Sequence, residues 1–140
     1  MTFAGINTLA VLLAAVAGFA FGGVWYRLFA GPWMKAAGLD EETIRSGRHG
    51  GGPSPFPFVI AFLAQLLMAW MLAGLVGHLG AVTVSNAVVS AFFVWLGFSL
   101  TTILVNHRFQ MLPWSLTLID GGHWLGVLLI QGLVIGLLGA

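Results

Sequence analysis

Residues Ser115–Ala140 read SLTLIDGGHWLGVLLIQGLVIGLLGA. The stretch has no lysine or arginine and exceeds the roughly 20 apolar residues needed to cross a bilayer. Asp120, His123 and Gln131 nevertheless interrupt it. Ionisable groups at membrane depth face protein or water rather than lipid. The stretch is therefore expected to be a membrane helix packed against others, with these three residues turned inward.

Working outward, three more apolar runs precede it. The four spans are placed at about 6–24, 56–79, 82–105 and 116–138, with a loop over about 25–55. The runs are continuous, whereas a membrane β-barrel needs short alternating segments. The fold class is an all-α membrane protein, a single four-helix domain over residues 1–140. Composition agrees. Hydrophobic residues make up 59% of the chain and charged residues 6%, and the mean hydropathy is +1.02. A soluble domain is about a quarter charged. The first run lacks the positive n-region of a signal peptide and is read as a retained span.

Lysine and arginine mark cytoplasmic loops. Arg27, Lys35, Arg45 and Arg48 lie between spans one and two, and Arg108 lies between spans three and four. The expected topology is N-out and C-out in a bacterial plasma (inner) membrane. In the first loop, "GPWMKAAGL" predicts a short interfacial helix stopped by Gly38, and "DEETIRSG" another capped by Asp40. "GRHGGGPSPFP", with His49, predicts a linker. Trp25, Tyr26, Trp33 and Trp114 are placed as anchors at the headgroup level. "RLFAGPW" and "RFQMLPW" echo one another, as a duplicated hairpin or as two loops with the same generic needs.

The stretch "GGVWYRLFAGPWMKAAGL" resembles the small bacterial membrane proteins of the domain-of-unknown-function family numbered seventeen-sixty-one. Gly22, Trp25, Tyr26, Phe29, Trp33, Met34 and Lys35 match that family's hallmark in type. Ala30 departs from it, its glycine coming one place later at Gly31. "NHRFQMLPWSLTLIDGGHWLGVLLIQGLVIG" is similar to the family's C-terminal half. The resemblance implies four spans and no known activity.

Small residues every fourth position let helix backbones approach closely. Ala10, Ala14, Gly18 and Gly22 form such a row. Gly122, Gly126, Gly132 and Gly136 project on the side of span four opposite Asp120, His123 and Gln131. Three readings compete for the polar stripe. It is a structural tie, with Asp120 near a helix N-terminus and paired with Arg108 or Arg27. It is a proton or solute path that also draws on Gln65, Ser90 and Asn86. Or it is a metal site with His107, although zinc needs three or four ligands. His78, in the outer turn, is expected to be solvated. Trp70 and Trp95, deep in their spans, are read as core or lipid contacts.

No cysteine, nucleotide fingerprint, heme motif or serine–histidine–acid set is present, so no cofactor, metal or catalytic residue is assigned. The net charge of +1 excludes a nucleic-acid surface. The expected role is a non-catalytic accessory, scaffold or self-assembling membrane component, a homo-oligomer or subunit of a larger complex. The alternative is a small oligomeric transporter or proton conductor using Asp120, His123 and Gln131.

Overall fold

The computed structural model describes residues 5–46 and 54–139; for Ser46 only the backbone is described. The expected linker around Arg48 and His49 lies outside them. Among the described residues the chain forms α1 (Thr8–Leu28), α2 (Ala30–Ala37), α3 (Glu41–Ser46) and α4 (Phe56–Leu79). These are followed by α5 (Val84–Phe109) and α6 (Trp114–Leu138). Helices α1, α4, α5 and α6 are each long and apolar enough to cross a membrane.

Local chemistry sets the boundaries. The Asn7 side chain accepts from the Leu9 and Ala10 N–H groups and starts α1 two residues later than hydropathy suggests. That helix also runs four residues past Val24, because its aromatic end stays helical and bonds inward. Phe29 breaks the helix, and α2 follows at once. Gly38 closes α2 in the left-handed region at φ 69°, a conformation glycine adopts without steric cost. The Thr43 N–H bonds the Asp40 carboxylate at 2.6 Å, as expected of a cap. Hydrogen bonds from the Thr43 side chain and backbone hold the Asp40 carboxyl below its usual range. Protonation therefore weakens the start of α3 as pH falls through that lowered value.

Helix α5 begins at Val84 rather than 82, since Thr83 accepts from the Asn86 N–H and Asn86 donates to Ala81 O. Asn86 thus bonds within the turn. Midway, α5 widens into a π-helical turn over Trp95–Leu100. The Thr101 and Thr102 hydroxyls bond back to the carbonyls of Gly97 and Phe98 there, and such back-bonding competes with the regular ladder.

Helix α6 is the hub. It packs along α1 and along α5, and α1 packs in turn on α4. The Asn7 amide lies 3.5 Å from Leu138 O, so both chain-terminal helix ends share one end of the bundle. The seam is built from small residues. Ala10, Ala14, Gly18 and Gly22 are all buried and face other helices of the same chain. Ala69, Ala73, Ala87 and Ala91 continue the core. Lipid tails remove the ordinary hydrophobic gain between spans, so close backbone approach supplies the cohesion. The glycines of α6 do not form one smooth stripe. Gly122 and Gly126 sit under the Trp25 and Phe21 rings of α1, whereas Gly132 and Gly136 sit on the backbone of α5 and its N-cap.

Candidate functional site

At the basic end, α1, α2, α5 and α6 bring their polar side chains to one place. Asp120 lies two turns into α6, and its Oδ1 accepts from the Tyr26 hydroxyl at 2.8 Å and from the Trp33 indole N–H at 3.2 Å. Its Oδ2 is 3.7 Å from His107 Nε2. Neither Arg27 nor Arg108 reaches it. The expected arginine partner is replaced by two aromatic donors and an imidazole.

Arg108 acts at two removes. Its guanidinium donates to Leu112 O and Thr117 Oγ1, each at 2.9 Å, and stacks 3.8 Å over the exposed Trp114 ring. Arginine can only donate, so the Thr117 oxygen accepts from it. The Thr117 proton is then free for His107 Nδ1, 2.9 Å away. The contacts Arg108–Thr117–His107, with His107 standing beside Asp120, therefore tie the end of α5 to α6.

Trp25, Tyr26 and Trp33, expected as headgroup anchors, bond within the bundle. The Trp25 indole donates to Ile119 O at 3.0 Å and the Trp95 indole to Gly121 O at 2.8 Å, so two carbonyls flanking Asp120 also take indole donors. A buried indole N–H needs such a partner. Trp114 alone of the expected anchors keeps an exposed ring. The two echoing loops are accordingly not equivalent, because Trp33 turns inward and Trp114 outward.

His123 and Gln131 are both buried, as the helical projection requires. The His123 ring lies 4.7 Å from the Tyr26 ring and against Gly22. Gln131 donates to the Gln65 backbone carbonyl at 3.0 Å. Among the described residues, His123 Nδ1 and the side-chain oxygens of Gln65 and Gln131 are buried without a hydrogen-bond partner. His107 and Asp120 come together, but no group of three His, Cys, Asp or Glu that could hold a metal occurs among the described residues. His78 is exposed, with Nδ1 2.8 Å from Gly74 O.

Beside this cluster is a cavity of about 660 Å³, walled by α1, α4 and α6 and roofed by α2 and α3. Gln65 and His123 reach its wall, Trp33 and Trp124 add indole rings, and Arg27 stands at its edge. One pattern in the sequence could have marked this cavity: the doublet Gly22–Gly23, next to Tyr26 and Arg27.

Helix α2 has no buried residue of its own, so the Trp33–Asp120 bond is a main tie. Trp33→Phe is expected to speed trypsin cleavage after Lys35 roughly fivefold in detergent. That corresponds to about 1 kcal/mol of local opening, the scale of one hydrogen bond. An unchanged cleavage rate would show that α2 is held by its other contacts.

The described "Protein of unknown function (DUF1761)" family model matches residues 9–136. No curated protein and no solved structure matches the chain. The match spans the seam, the polar cluster and all four spans, and the chain belongs to the DUF1761 family.

Proposed function

We propose that this multi-pass membrane protein is a non-catalytic component of the bacterial inner membrane that works by associating, with its own copies or within a larger complex. Burial in α5 carries the reading. Only 6% of the most apolar window of α5 is buried within the chain, against 33–39% for the other three spans. Its outer face combines Gly97, where an added side chain would meet nothing, with exposed Thr101, Thr102 and Asn106. Small and amide-bearing residues on a span favour a second helix over lipid, at about 1 kcal/mol per hydrogen bond.

The polar stripe supports the same reading. Asp120 is already engaged by Tyr26, Trp33 and His107. Gln131 lies about 12 Å along α6 from His123 at the helical rise of 1.5 Å per residue. Beyond it the core is Val11, Leu72, Val76 and Ile135, and no buried polar side chain continues the stripe among the described residues. The transport alternative therefore has less support than association.

The basic end is assigned to the cytoplasm, with both termini outside. Single cysteines at Thr2, Ser46 and Ala140 are expected to react with an impermeant thiol reagent in intact cells at the termini only. Labelling at Ser46 alone reverses the topology. Native mass in lipid nanodiscs tests association. Multiples of the chain, or a stoichiometric co-purifying subunit, are expected. Gly97→Trp should reduce them without lowering thermal stability. A strict monomer with no partner at physiological lipid ratios would sink the reading.

A further inference from the structure

We propose that the cavity between α1, α4 and α6 is a site for one negatively charged acyl-chain lipid, its chain inside and its head on Arg27. The volume of about 660 Å³ falls in the range of ligand sites rather than packing defects. Its wall is almost wholly apolar and aromatic. The cavity is open to its surroundings, and an acyl chain from the bilayer can make dispersion contacts along its apolar lining. The cavity is also built into the helix surface. Gly23 lines it, and a Cβ added there meets nothing within 4 Å, whereas Gly22 one position earlier is filled by the His123 ring.

Arg27 gives the sign of the head. It is exposed at the cavity edge and forms no ion pair among the described residues. Asp120, the nearest intramembrane carboxylate along α6, is already engaged with Tyr26 and Trp33. Basic side chains at the end of an interhelical pocket hold anionic headgroups. His123 provides the deeper polar contact. The residue is 5% exposed, lines the cavity and leaves Nδ1 without a partner. Nδ1 is itself covered by protein atoms, so an ester or carboxyl oxygen entering beside the ring reaches it with a shift of the imidazole, which can then donate or accept.

Native mass spectrometry after reconstitution into equimolar phosphatidylglycerol and phosphatidylcholine, followed by detergent exchange, tests the proposal. The wild-type chain is expected to retain one anionic lipid per copy. The adduct mass separates a phospholipid from a free fatty acid, and either supports the site. Gly23→Leu fills the cavity from α1 and should lower retention at least tenfold with the melting temperature unchanged or raised. Ala61→Phe fills it from α4 and stands in should the first variant fold poorly. Arg27→Gln should retain a lipid but lose the preference for phosphatidylglycerol. Equal retention of the two lipids by wild type, or undiminished retention by both cavity-filling variants, overturns the proposal.

Discussion

Gly132→Leu is expected to prevent recovery of folded protein, while Gly97→Leu, the same chemical change, is expected to be mild. At Gly132 an added Cβ would stand 2.8 Å from Ala87 O and 3.0 Å from Ala91 Cβ. The first of these is backbone, so no rotamer change relieves the contact. Gly136 is tighter still, its Cβ position being 2.5 Å from Val84 Cα and 2.8 Å from Thr83 O. Overpacking usually costs about 1–3 kcal/mol where side chains can give way. Here two helices must separate, and a loss above about 3 kcal/mol is expected on that scale. Gly18→Leu should fall between the two, because its nearest neighbour at 2.8 Å is the movable Gln65 Oε1. Reversible unfolding in mixed micelles, with yield as a second readout, ranks the three. Equal behaviour of Gly132→Leu and Gly97→Leu would falsify the backbone contact between α5 and α6.

Asp120→Ala is expected to lower stability by about 2–3 kcal/mol, the scale of hydrogen bonds to a charged group. It strands the Tyr26 hydroxyl and the Trp33 indole together and takes the facing carboxylate from His107. Asp120→Asn retains one carbonyl acceptor and should lose about half as much, since charge-assisted bonds are roughly twice as strong as neutral ones. The double-mutant cycle with Tyr26→Phe should show coupling of about 1 kcal/mol, because the groups touch. The cycle with Arg108→Gln should be near additive, the guanidinium being separated from the carboxylate by Thr117 and His107. A larger coupling to Arg108 than to Tyr26 would return the arginine to the role that charge alone assigns it.

That reversal shows where sequence reasoning stops. Spans are legible because bilayer thickness imposes a long uninterrupted apolar run, and all four lie close to their expected places. The inward faces of His123, Gln131 and the Ala10–Gly22 row are legible because helical periodicity turns spacing into direction. Partners are harder. Charge suggested Arg108 for Asp120, yet aromatic side chains also donate, and Tyr26 and Trp33 lie on either side of a break at Phe29 whose angle no local pattern encodes. The π-helical turn of α5 left no mark in hydropathy, since it changes rotation and not polarity. The burial deficit of α5 was equally hidden, because a lipid-facing span and a protein-facing span are both apolar.

The central place of α6 has a consequence for biosynthesis. It is the last of the four spans to leave the ribosome, yet Trp25, Tyr26 and Trp95 all direct their hydrogen bonds to it. At about 5–20 residues per second, the first span waits several seconds in the membrane before its acceptors exist. During that interval Gly22, which the His123 ring covers in the finished bundle, faces lipid or the insertion machinery, and the early spans are held together by little more than α1 against α4. Assembly is therefore concentrated in the final moments of translation. A chain arrested before residue 114 presents membrane quality control with unsatisfied indole and phenol donors, and its turnover should be far faster than that of the completed bundle.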